Sequence, residues 1–224
     1  MTDVNASTSS TSSTSSTPSA ALASTAPAST VGADYAERLA RLEGARWKRI
    51  LDVQAPYRWN VRRLCPGFTL DVGCGIGRNL AHLRGNGVGV DHNATAIAEL
   101  RRRGLVGFTS EEFASSGYDV PRRFDHLLLA HVVEHGTIDE AAALVTRYLP
   151  CVRNGGSVVI ITPQEAGQRS DATHVTFFDN RALSELLRRA GLTADAATAR
   201  SFPLPRSAGK LFTYNELVTV ATVT

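Results

Sequence analysis

Between residues 57 and 191 the apolar positions alternate between two patterns. Short, nearly continuous apolar runs give way to longer stretches in which apolar residues recur every three or four positions. The runs read as strands buried on both faces, and the stretches as helices with one face against a core. In order, the predicted strands are FTLDVG (68–73), VGVD (88–91), LVGFT (105–109), FDHLLLA (124–130) and GGSVVIIT (155–162). The predicted helices are IGRNLAHLR, then NATAIAELRRRG with Asn93 as N-cap and Gly104 as stop. TIDEAAALVTRYL follows, capped by Thr137, and then NRALSELLRRAG (180–191), ended by Gly191. Such alternation predicts a parallel sheet with helices on both faces. At the end, LTADAATARSF and KLFTYNELVTVATV are separated only by the turn-rich PLPRSAG, which predicts an antiparallel pair. The expected fold class is α/β: a doubly wound, mostly parallel seven-stranded sheet with an antiparallel C-terminal strand pair.

Ahead of the sheet, YAERLARLEGARWKRIL (35–51) has helical spacing, and a second short helix is predicted over Tyr57–Leu64, entered through Pro56. Residues 1–33 differ: the first thirty are more than half Ser and Thr, with no aromatic and no basic residue. Such a segment cannot bury enough surface to offset its ordering entropy, so a disordered tail is expected, followed by a single domain over 34–224 with N-terminal helices at 34–64. An O-glycosylated stalk shares this composition, but no secretory-type apolar core accompanies it. No run approaches the length of a membrane span. Cys65, Cys74 and Cys151 form no C-x-x-C pair, which argues against a zinc ribbon or disulfide framework and for a reducing, cytoplasmic setting. The formal charge is +3, and Asp3 is the only charge before Asp34. The Arg groups at 101–103, 122–123 and 188–189 sit on or beside predicted helices and turns, as a solvated surface would place them. A nucleic-acid footprint would require them to converge on one face.

Candidate chemistry begins at LDVGCGIGRNL, where the first strand meets its helix. Glycines there permit a sharp turn and close approach of a ligand to the main chain. The spacing departs from G-x-G-x-x-G, since Arg78 follows Gly77. Asp91 closes the second strand, where an acid can accept hydrogen bonds from a ribose diol. With GVGVDHN, FDHLLLAHVVEH and GGSVVIITP, the chain from about Arg46 onward resembles the class I S-adenosylmethionine-dependent methyltransferases, which share a Rossmann-like fold. It looks most like their small-molecule branch, such as the ubiquinone-biosynthesis O-methyltransferases. The resemblance implies S-adenosyl-L-methionine as cofactor. Asp71, Gly73 and Gly75 would hold its methionine moiety, Asp91 its ribose hydroxyls, and His92 would flank the adenine. Ser110 and Glu111 would stand in for the Asp that usually follows the third strand. The Asn/Asp-Pro-Pro-aromatic sequence of amino-methylating enzymes is missing after the fourth strand. Pro150-Cys151 falls after the fourth helix, away from where a cytosine-C5 enzyme keeps its nucleophile.

HVVEH (131–135) also matches the H-x-x-E-H pattern of inverted zinc peptidases. That reading needs both His on one long helix, yet a strand-like run precedes them and helical spacing starts only at Thr137. At a strand end opposite the glycine turn, His131 is expected near the cofactor's sulfonium, with Glu134 and His135 facing substrate or capping the next helix. His174, in the polar insert 163–178, is a rival general base to His135. No resident metal is expected, although Glu134, His135 and His174 could together hold one. The expected activity is methyl transfer to an O- or N-nucleophile of a small molecule, with no membrane partner. RNA methylation, or a non-catalytic subunit that binds a protein partner, are the alternatives.

Overall fold

The computed structural model describes residues 54–193 and 197–224. The expected tail and the predicted 35–51 helix lie outside the described residues. Helix α1 (Ala55–Leu64) leads into strand β1 (Thr69–Val72), helix α2 (Arg78–His82) and strand β2 (Gly87–Asp91). Helix α3 (Ala94–Arg102), strand β3 (Gly107–Thr109), helix α4 (Ser110–Ala114) and strand β4 (Phe124–Ala130) follow. Helix α5 (Ile138–Tyr148), strand β5 (Val152–Pro163), helix α6 (Glu165–Ser170), helix α7 (Asn180–Arg189) and strands β6 (Ala197–Phe202) and β7 (Glu216–Thr222) complete the order. They form one sheet ordered β3-β2-β1-β4-β5-β7-β6, parallel except where β7 runs against β5 and β6.

The strands are apolar throughout because consecutive residues enter opposite layers. In β4, Leu127 and Leu129 pack with Val145 of α5 and Leu183, Leu186 and Leu187 of α7, whereas Leu128 and Ala130 pack on the other face with Val61 of α1 and Phe202. A smaller cluster joins Leu80 of α2 to Ile97 and Leu100 of α3 over Cys74. Deleting a central side chain such as Leu128 would cost about 2–5 kcal/mol.

The chain leaves β1 toward β2 and β3, then returns to β4 on β1's other side. The loops after β1 and β4 therefore diverge at the sheet's carboxyl edge, the crevice where open α/β sheets bind ligands.

Four elements differ from the sequence expectation. β5 begins at Val152 instead of residue 155, because the β4–β5 register jumps between Phe124↔Val152 and His126↔Ser157 and the strand continues through that irregularity. β3 is shorter than 105–109, and the chain turns at once into α4, whose capping box joins Thr109 and Glu112. The insert 163–178 contains the one-and-a-half-turn α6. Residues 211–215 form a turn, not strand: buried Asn215 donates to Ser201 Oγ at 2.9 Å and accepts from Leu204 N at 2.9 Å, tying the turn to the end of β6.

Candidate functional site

The loop after β1 is built on left-handed backbone. Gly73, Gly75 and Gly77 have φ of 72°, 53° and 83°, a region that costs a side-chain-bearing residue about 1–2 kcal/mol. Space is the second constraint at Gly73, where a Cβ would stand 2.3 Å from Val132 Cγ2. The glycine turn is thus pressed against HVVEH, as the neighbouring of β1 and β4 requires. Asp91, 6 % exposed, locks the same turn: Gly75 N donates to its Oδ2 and Asn93 N to its Oδ1, both at 2.8 Å. Each oxygen retains a lone pair for a further donor. His92 is exposed beside it, with Nδ1 3.5 Å from Asp91 Oδ1.

Asp71 is fully buried at the end of β1, and neither carboxylate oxygen has a hydrogen-bond partner of good geometry among the described residues. Burial pushes its pKa up to about 7, against weaker opposing contributions from nearby Asn79 and Arg78. A sequestered carboxylate with unused acceptors is suited to an ammonium group. Ser110 and Glu111 lie in the first turn of α4 and are exposed, with the Ser110 hydroxyl against Tyr148.

Past β4, His131 adopts φ 59°, uncommon for a non-glycine residue and a mark of local constraint. Its N–H donates to Ile161 O, and its ring stands between two acids: Nε2 is 2.9 Å from Glu216 Oε1 and Nδ1 3.3 Å from Glu134 Oε1. The second contact is an ion-pair distance without hydrogen-bond geometry, because both Glu134 oxygens remain unpartnered. Burial pulls the His131 pKa down, but Glu134 and Glu216 outweigh it and raise it to about 9. One third of the side chain remains exposed.

Val133–His135 form a single 3-10 turn, not a long helix, which removes the geometry of a peptidase zinc motif. The insert folds back onto this turn: Val175 N and Thr176 N both donate to Glu134 O, at 2.8 and 3.1 Å. That brings the His174 and His135 rings to a centroid separation of 5.0 Å. His135 Nδ1 lies 3.1 Å from Thr173 Oγ1 and 3.3 Å from Thr173 O, and His174 Nδ1 3.2 Å from Gln168 O.

The structure therefore gathers the expected residues into two groups across one crevice. Asp71, Gly73, Gly75, Asp91 and His92 stand around β1 and β2, and His131, Glu134, His135 and His174 after β4 and β5. Ser110 and Glu111 open α4 directly after Thr109, which pairs with Asp91, so they lie at the same carboxyl edge of the sheet. Sequence reasoning missed Glu216, the second acid on His131, because it opens a strand 85 residues away and no local pattern marks it. It also missed the contact that holds Tyr57 of α1: its hydroxyl donates to Tyr214 O at 2.7 Å, and burial, aided by Glu216, raises its pKa.

A parallel sheet with β7 inserted antiparallel, a glycine turn after β1 and an acid ending β2 define the class I methyltransferase architecture. Residues 35–197 match the methyltransferase-domain family, and the chain belongs to it. No curated protein matches the sequence. Among solved structures, a possible histamine N-methyltransferase from Thermotoga maritima superposes with a TM-score of 0.63 at 17 % identity, over 85 % of this chain and 98 % of that one. A methyltransferase from Archaeoglobus fulgidus gives 0.58 at 18 %, covering 74 % and 92 %. One from Haloferax volcanii, seen in complex with the Trm112 methyltransferase activator, gives 0.58 at 17 %, covering 82 % and 96 %. The protein is an S-adenosylmethionine-dependent methyltransferase, and its residues fit that cofactor: Asp71 supplies an unpartnered buried carboxylate, Gly73 a surface without Cβ, and Asp91 two acceptors. Among the described residues, no helix is long and apolar enough to cross a membrane.

Proposed function

We propose that the protein methylates an oxygen or nitrogen of a small molecule held between the glycine turn and the His135–His174 pair. Bound, the cofactor supplies an electrophilic methyl group on its sulfonium. Asp71 takes the methionine ammonium, Asp91 the ribose diol, and the 171–176 segment covers the acceptor and excludes water. The observation that carries this reading is the orientation of the two imidazoles. Thr173 Oγ1 gives its proton to Asp171 Oδ1, and Thr173 O and Gln168 O are carbonyls. Every group on the Nδ1 side accepts, so in the neutral form of each ring Nδ1 carries the proton and Nε2 presents a lone pair. An acceptor O–H or N–H placed there loses its proton to an imidazole as it attacks.

His135→Ala and His174→Ala are each expected to lower kcat about 100-fold, while the Kd for S-adenosylmethionine moves less than about twofold. A screen of metabolites read by S-adenosylhomocysteine release supplies the substrate. Unchanged kcat in both variants would leave alignment as the whole of catalysis.

Asp71 gives a second expectation. Its folded pKa is raised above the unfolded carboxylate value, so the native chain holds the extra proton and stability falls as pH rises from about 4 to about 7. An ammonium beside it favours the ionised form, so cofactor binding expels that proton. Calorimetry at pH 7 in buffers of different ionisation enthalpy should show release of about half a proton, less at pH 8 and more at pH 6. Asp71→Asn should abolish it; equal release from wild type and variant would remove Asp71 from the ammonium site.

A small acceptor is favoured over nucleic acid because two of the three Arg groups, 101–103 and 188–189, are paired locally. Arg101 bridges to Glu112, Arg102 and Arg103 to Glu99, and Arg188 and Arg189 to Glu185. They do not form one free basic face among the described residues. The buried, unpaired Cys65, Cys74 and Cys151 fit a reducing cytoplasm. A protein-partnered methyltransferase is the second reading, favoured by the Haloferax volcanii neighbour's activator complex and by exposed Trp59, Leu211 and Tyr214. Activity of the isolated chain would decide against it.

A further inference from the structure

Five large apolar side chains cluster in solvent beside the end of β6 and the start of β7. Trp59 is 54 % exposed, Leu211 90 % and Tyr214 62 %, with Leu204 and Phe212 between them. Single exposed apolar residues are ordinary, but a contiguous group of this size marks an interaction surface. Its floor is rigid. Buried Phe202 takes the Tyr57 ring edge-on at 5.8 Å and the Trp59 ring stacked at 6.5 Å. Phe212 meets Tyr214 edge-on at 5.8 Å, and the Tyr57 hydroxyl donates to Tyr214 O. The Asn215 side chain accepts from Leu204 N and donates to the carbonyls of Leu204 and Pro205, which fixes the turn that carries the rest.

The chain itself carries a segment that needs such a surface. In YAERLARLEGARWKRIL (35–51), Tyr35, Leu39, Leu42, Trp47, Ile50 and Leu51 fall on one half of a helical wheel, and Arg38, Arg41, Lys48 and Arg49 on the other. Gly44 weakens that helix, and a helix of this length is marginal in water unless one face is packed. The methyltransferase-domain match begins at residue 35, so the segment belongs to the domain and the Ser/Thr-rich residues before it do not. The described residues start at Gln54, and α1 opens at Ala55. Residues 52–54 can span only about 10 Å, which tethers Trp47, Ile50 and Leu51 close to the first turns of α1, where Tyr57 and Trp59 stand.

We infer that residues 35–51 dock as a helix on the surface formed by Trp59, Leu204, Leu211, Phe212 and Tyr214, with the Trp47 side of the helix toward Trp59. The tether is what selects this occupant. A short link holds the segment at an effective concentration in the mM range, above what a free partner or a second copy of the chain reaches. The basic half of the helix then faces water, and the apolar half is removed from it. The surface that would suit a separate protein becomes part of this chain's own fold, and the folded unit begins near Tyr35. This docking does not depend on the identity of the acceptor or on methyl transfer.

The test uses the full-length chain and amide hydrogen exchange read by mass spectrometry. Amides of 35–51 should exchange at least about tenfold more slowly than their sequence alone sets, at every protein concentration. Leu211→Glu/Tyr214→Glu replaces two exposed side chains and leaves the core intact. It should speed exchange in 35–51 by about tenfold or more, while β1, β4 and β5 keep their protection. The reciprocal arm reads the surface and mutates the segment. Trp47 and Trp59 are the chain's two tryptophans, so Trp47→Phe leaves Trp59 as the sole emitter. Adding Ile50→Glu should then shift its emission to the red as the ring meets water. Fast exchange through 35–51 in the wild type overturns the inference, as does slow exchange that survives Leu211→Glu/Tyr214→Glu. Protection that appears only as concentration rises gives the surface to a second copy and overturns it too. So does a Trp59 emission that Ile50→Glu leaves unmoved.

Discussion

Asp91→Ala is expected to weaken S-adenosylmethionine binding by roughly 100-fold or more while the chain stays folded. Hydrogen bonds to a charged acceptor contribute about 1.5–3 kcal/mol each, and a ribose diol makes two of them. The carboxylate has a second task, since Gly75 N and Asn93 N both donate to it. Its removal therefore slackens the glycine turn and frees the start of α3, losing preorganisation as well as contacts. The two N–H groups are buried, so leaving them without an acceptor also costs the fold about 1–3 kcal/mol each. Calorimetry measures the affinity and circular dichroism the fold. An affinity within about threefold of wild type would mean that the ribose lies elsewhere.

Gly73→Ala should be the most damaging small substitution in the crevice. A residue with a Cβ at φ 72° costs about 1–2 kcal/mol, and the overlap with Val132 Cγ2 at 2.3 Å adds overpacking of about 1–3 kcal/mol. The expected loss is then about 2–5 kcal/mol in chemical denaturation, with cofactor affinity lost beside it. The two causes separate in a double variant. Val132→Ala removes the atom in conflict, so Gly73→Ala/Val132→Ala should recover the overpacking part and leave the backbone part. No recovery would show that Val132 moves aside freely and that conformation alone sets the cost.

Much of this architecture is legible in the sequence because its determinants are local. The β4 run FDHLLLA is apolar at every inward position of both layers, Asn93 and Thr137 are capping residues that bond three residues ahead, and the glycine turn carries its own conformational signature. The glycine turn and Asp91 could be paired on sequence because each ends an adjacent strand. What was not legible depends on distant partners. Glu216 reaches His131 across 85 residues, and Tyr57 and Tyr214 meet across 157. α4 was hidden because LVGFT reads as strand up to the Thr109 that caps a five-residue helix too short to show a period. The HVVEH question was answered by context alone: the same five residues on a helix would present both His on one face, whereas a 3-10 turn at a strand end points Glu134 inward.

The two hydrogen bonds from Val175 and Thr176 to the carbonyl of Glu134 also set the terms on which this enzyme could be re-engineered. They act as a clasp between the turn after β4 and the segment after α6, and they are made by main chain, indifferent to side-chain identity. The side chains from Glu165 to Ser170 can therefore be exchanged to admit a different acceptor, provided the carbonyl at position 168 still meets His174 Nδ1 and Asp171–Thr176 still close onto Glu134. On the proposed function, a graft that breaks the clasp would keep its cofactor and lose its chemistry, because His174 would no longer arrive where His135 waits.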